Sequence, residues 1–146
     1  MNNNINLLTD ENCITILNSS IKLVIFFENN RYKKKYYIKK KDTWIELLTS
    51  GSVSYSEIVY NSGKENINFY FDKIHSIIKS GNTTTIILSG NHENISFSET
   101  ITLENESNFI HSQVRIYITA KTFISKLISV ISFSPEGKLY SDYKPL

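Results

Sequence analysis

The chain has 146 residues, a formal net charge of +2, 40% hydrophobic and 21% charged residues. That is long enough to bury a core as one domain spanning 1–146, and too apolar for wholesale disorder. The small net charge argues against a polyanion covering the whole surface, and the single cysteine, Cys13, excludes a disulfide framework and any cysteine-pair metal site. The amino terminus lacks a basic segment followed by an apolar one, and the longest apolar run, 23–27, is far too short to cross a bilayer, so the expectation is a soluble, cytoplasmic protein with no membrane partner and no cofactor.

Strand formers dominate: 22 Ile, 5 Val and 11 Thr stand beside 17 Tyr and Phe, whereas Ala occurs once. Side chains branched at Cβ or aromatic fit a pleated surface better than a helix. Residues 1–10 read as a disordered start. Residues 14–17 and 21–28 then flank the polar triplet Asn18, Ser19 and Ser20, and 21–28 ends at Asn29 and Asn30, which together predict hairpins. Strands follow at 36–39, 43–48 and 53–60, separated by breaks at 50–52 and 61–64.

The second half alternates more strictly. After 67–78, a break at 80–82, 83–89 and a turn at 90–94, residues Ile95, Phe97, Ile101 and Leu103 share one phase while Ser96, Ser98, Thr100 and Thr102 share the other. This period of two marks a strand with one buried face. Val114, Ile116 and Ile118 alternate in the same way with Gln113, Arg115, Tyr117 and Thr119. Residues 123–133 carry apolar side chains in both phases, which predicts a central strand with a helix as the competing reading, and 134–146 reads as a tail leading out of the core. Short strands punctuated by turns at regular spacing predict an all-β fold, an antiparallel β-sandwich of about ten strands.

Few residues offer chemistry. Glu99 occupies the apolar phase between Phe97 and Ile101, so inside a core it requires a partner or a raised pKa; a bulge that turns it outward is the favoured reading. A carboxylate there could act as an acid or accept a sugar hydroxyl, but glycoside hydrolysis ordinarily needs two carboxylates and no second one is placed by the sequence. Trp44 stands among Tyr36, Tyr37 and Tyr55, a group able to stack on sugar rings, but burial of Trp44 in the sandwich core is the favoured reading. His75, His92 and His111 lie in no metal-binding spacing and beside no nucleophile elbow, and read as solvated or hydrogen-bonded. Residues 31–41 hold Arg31, Lys33, Lys34, Lys35, Lys39, Lys40 and Lys41 interleaved with Tyr32, Tyr36 and Tyr37. Such a run could bind single-stranded nucleic acid, but a lysine-protected edge hairpin is the favoured reading because no matching basic groove is visible.

Two stretches resemble the galactose mutarotase-like β-supersandwich, known from aldose epimerases and from the amino-terminal domain of multidomain glycoside hydrolases. One is 14–23, ITILNSSIKL, followed by 42–47, DTWIEL; the other is 101–114, ITLENESNFIHSQV. The resemblance implies a supersandwich-like fold, but no residue matches the epimerases' catalytic His or Glu, and the helical barrel of the hydrolases is absent. The expectation is therefore a non-catalytic module, cut short before a full supersandwich closes, that binds carbohydrate through Trp44, Tyr36, Tyr37, Tyr55 and Glu99 or packs on a companion domain. A structural domain that recognises another protein is the rival reading, and binding of nucleic acid through 31–41 is the third.

Overall fold

The computed structural model describes residues 5–47, 55–61, 66–119 and 126–130. Every regular element among them is a β-strand: β1 (Asn6–Asp10), β2 (Cys13–Leu17), β3 (Ile21–Glu28), β4 (Arg31–Lys40), β5 (Thr43–Glu46), β6 (Tyr55–Asn61), β7 (Asn66–Tyr70), β8 (Lys73–Ser80), β9 (Thr83–His92), β10 (Ile95–Glu104), β11 (His111–Ile118) and β12 (Lys126–Val130). All pairings are antiparallel. Strands β1-β2-β3-β4-β5 form one sheet, β11-β10-β9-β8 a second and β12-β6-β7 a third. The architecture is the expected all-β sandwich, with twelve strands among the described residues where the sequence suggested about ten.

The turns follow from local chemistry. Asn29 and Asn30 both take positive φ, 53° and 59°, the conformation that joins β3 to β4 through two residues without splaying the strands. Gly81, at φ 53°, does the same between β8 and β9, where a Cβ would be strained. Asn18 ends β2 differently. Its Oδ1 accepts from the Ser20 and Ile21 amides, while its Nδ2 donates to the carbonyls of Glu104 and Ser107 across the sandwich. One side chain thus shapes a turn in the first sheet and ties it to a turn in the second.

The core lies between the five- and four-stranded sheets. Ile14, Ile16, Ile21, Leu23 and Ile25 meet Ile86, Leu88, Ile95, Phe97, Ile101 and Leu103, with Phe69 and Phe71 filling one side. Burial of each such side chain contributes roughly 1.5–3 kcal/mol before entropy is set against it. Phe71 packs edge-on to Phe97, its ring centroid 5.1 Å away. The chain crosses between sheets here: the Phe71 carbonyl accepts from Tyr32 N–H in β4, and Asp72 N–H donates to Ser89 in β9. Gly90 makes the crossing fit, because a Cβ there would stand 2.6 Å from the Tyr70 carbonyl oxygen.

Several local expectations change in three dimensions. Residues 6–10, read as disordered, form β1 and pair with β2 from Asn6–Leu17 to Asp10–Cys13. Residues 67–78, read as one strand, divide between β7 and β8, which belong to different sheets; the division falls at Phe71 and Asp72, whose backbone groups satisfy two sheets at once, and its mark in the sequence is the charged pair Asp72 and Lys73. The basic run is mostly one long strand, β4, with β3 on one side and β5 on the other, so it is not the edge hairpin expected. Residues 126–130 are strand rather than helix, as favoured, but β12 lies at the end of its sheet among the described residues instead of at the centre. Hydropathy reports burial, not the identity of a neighbour. The tail at 134–146, residues 1–4, and the rest of 123–133 lie outside the described residues.

Candidate functional site

The outer face of the four-stranded sheet carries a shallow groove of about 450 Å³, lined by His75, Ile87, Ser89, Asn91, Ser96, Phe97, Ser98, Thr100, Arg115 and Tyr117. Strand alternation explains its make-up. In β10 the residues from Ile95 to Leu103 in the odd phase are buried, so Ser96, Ser98 and Thr100 face out. Register then aligns neighbours on the same face: Ser89, Ser98 and Arg115 form one row across β9, β10 and β11, and Asn91, Ser96 and Tyr117 form the next. His75 reaches the groove because β8 has a bulge between Ile74 and Ser76. The extra residue in a bulge redirects its side chain.

The groove is open, and its lining contains hydroxyls, one amide, an imidazole, a guanidinium and a phenol but no carboxylate. Tyr117 is 59% exposed, so its ring is free to meet a ligand. Arg115 donates to Gln113 Oε1 at 3.2 Å, a neutral partner two residues away on its own strand. Part of this surface was legible, since Ser96, Ser98 and Thr100 were already assigned to one face and Arg115 and Tyr117 to another polar phase. What the sequence did not supply was the register that puts them side by side, or the bulge that adds His75.

The five residues singled out for sugar binding do not share a surface. Tyr36 faces inward and packs against the core. Tyr37 and Trp44 face outward on the five-stranded sheet, where Lys22 Nζ lies 4.0 Å from the Tyr37 ring and 5.3 Å from Trp44. Trp44 is thus half-buried on an outer face rather than in the sandwich core. Partial burial, and next the nearby Glu46 carboxylate, raise the Tyr37 phenol above its ordinary value; Tyr32 is raised too, first by burial and then by Asp72. Tyr55 belongs to the third sheet, where Arg31 stacks 4.0 Å from its ring and 4.5 Å from that of Tyr70.

Glu99 lies between the sheets. Its side chain is 2% exposed and that of Lys34 is 3% exposed, and Lys34 Nζ donates to Glu99 Oε1 at 2.6 Å. Ser112 Oγ donates to the same oxygen at 2.7 Å, while among the described residues Oε2 has no hydrogen-bond partner. The pairing of β10 is regular through Glu99, opposite Leu88 and Val114, so the favoured outward bulge does not occur. The compensation comes instead from a lysine 65 positions away in sequence.

The basic run is divided by the same alternation. By register Lys33, Lys35 and Lys39 face outward with Lys22, whereas Lys34 faces the core. Lys33 pairs with Glu28, and that hydrogen bond, followed by the lysine's charge, holds the Glu28 carboxyl below its ordinary value. Lys35 pairs with Glu46 at 3.3 Å. Of the other histidines, His92 stacks on Phe69 with centroids 4.1 Å apart and His111 meets the edge of Phe109. Among the described residues no group of three His, Cys, Asp or Glu side chains is placed to hold a metal, and no helix is long and apolar enough to cross a membrane.

No family model, curated protein or solved structure matches the chain.

Proposed function

We propose that the chain is a non-catalytic β-sandwich module that binds carbohydrate on the outer face of the four-stranded sheet. The observation that carries this reading is the groove of about 450 Å³ in which hydroxyl and amide side chains flank the exposed ring of Tyr117. Its size falls within the range of small-ligand sites. A sugar ring stacks on an aromatic face and exchanges hydrogen bonds through its hydroxyls, so it complements this lining better than a flat apolar ligand does. Catalysis is no part of the proposal, because Glu99, the carboxylate in the apolar phase, is buried and engaged by Lys34 and Ser112. The resemblance to the amino-terminal domains of glycoside hydrolases is in keeping with this role.

A second reading, a packing domain for a companion, is favoured by Ile38 and Ile45. They sit opposite one another on β4 and β5, both more than a third exposed. Calorimetric titration with a panel of neutral and acidic oligosaccharides tests the first reading. Binding to at least one of them, weakened about tenfold or more in Tyr117→Ala with the fold retained, is expected, since loss of a stacked ring removes of order 1–2 kcal/mol. No binding across the panel would overturn it.

A further inference from the structure

We infer that the ligand of this groove is an acidic sugar, an oligosaccharide bearing an anionic substituent that Arg115 reads. This rests on the carbohydrate reading above and adds the ligand's charge. Three observations lead to it. First, the groove holds a guanidinium and an imidazole with no carboxylate in its lining. A neutral sugar leaves the guanidinium's charge to water, whereas an anion in the groove meets it.

Second, Arg115 is one of only two arginines among 16 basic residues. The other, Arg31, is stacked over Tyr55 and Tyr70. In a chain that uses lysine almost everywhere, this groove is lined by a guanidinium, whose planar fork suits bidentate recognition of an oxyanion. Among the described residues Arg115 has no ion pair, and Gln113 occupies only one of its donors. A guanidinium has five.

Third, the surroundings suit a charged sugar. Register puts Ser89 and Ser98 in the row of Arg115, and Lys73, paired with Ser89, stands at the far end of that row. Tyr117 lies two residues beyond Arg115 on the same face of β11, a separation of about 6.8 Å along the strand. A sugar ring stacked on Tyr117 therefore has Arg115 within reach of an exocyclic substituent, with Ser96 and Ser98 on the same face.

The test compares an oligogalacturonate with the same oligosaccharide after reduction of its carboxyl groups, and adds a sulfated galactan oligosaccharide as a third probe. Roughly tenfold tighter binding of the acidic form is expected, a preference that disappears in Arg115→Gln, is only partly restored in Arg115→Lys, and shrinks as salt is raised. Circular dichroism of each variant confirms that the fold is kept. Tight binding of the sulfated probe with the same dependence on Arg115 supports recognition of an oxyanion in general, and its failure beside a bound galacturonate assigns the site to carboxylates. Equal binding of the acidic and reduced forms, with both lost in Tyr117→Ala, overturns this inference and leaves the carbohydrate reading standing. No binding of any probe overturns both.

Discussion

Strands β10 and β11 carry polar groups on both of their faces, and the two sets are built on opposite principles. On the inner face Glu99 accepts from Ser112 and, across the sandwich, from Lys34 of β4. On the outer face Ser96, Ser98, Arg115 and Tyr117 surround an open groove, and the charge of Arg115 meets only a neutral amide among the described residues. An ion pair withdrawn from water must be satisfied internally, because each ion loses several kcal/mol of hydration. A polar face in water has no such requirement and remains free to exchange solvent for a ligand. Polarity on a strand therefore has different consequences according to which face presents it.

Breaking the inner set has the largest expected effect. Lys34→Met leaves Glu99 buried without its counter-charge and should lower stability by about 3–5 kcal/mol in urea unfolding, while the double variant Lys34→Met, Glu99→Leu should recover most of that loss. A double variant as unstable as the sum of two independent singles would mean that the two groups do not act as a pair. Asn18→Ala comes next. It deletes a buried amide serving four backbone groups in two sheets, and a loss of about 2–3 kcal/mol is expected by the same measurement. A change below about 0.5 kcal/mol would show that water replaces the amide at no cost.

The smallest effect belongs to the groove. Ser98→Ala, on the outer face, should alter stability by less than about 0.5 kcal/mol while weakening any oligosaccharide that binds there. A large loss of stability would instead assign this hydroxyl to the scaffold and erase the contrast between the faces.

Much of the fold was legible because period and turn chemistry are local. The alternation from Ile95 to Leu103 reappears as a strand buried on one face, and Asn29 with Asn30 reappears as a tight turn. The misreadings occurred where tertiary pairing overrides local pattern. The change of sheet within 67–78 is marked by no more than Asp72 and Lys73, and the asparagine-rich start concealed the strand at 6–10. The charge of Lys33 and Lys34 suggested an exposed edge, yet each is buried against a carboxylate. The site was less legible than the fold: the outward serine phase of β10 was visible, whereas Tyr36, Tyr37, Trp44, Tyr55 and Glu99 were grouped by residue type and end up on different surfaces or in the core.

By itself the sequence determined the fold class, the position of most turns and the side of each strong strand that is buried, because these depend on residues within a few positions of one another. It also singled out Glu99 as a carboxylate that must either find compensation or turn outward, since a charge in an apolar phase cannot be left alone. Only the tertiary structure decided that Lys34 supplies it, that Asn18 joins the two sheets, and that Ser89, Ser98 and Arg115 line up in one row. Those outcomes depend on register and on sheet order. Both are set by the summed packing of whole strands and by hydrogen bonds between residues tens of positions apart, so no local pattern carries them.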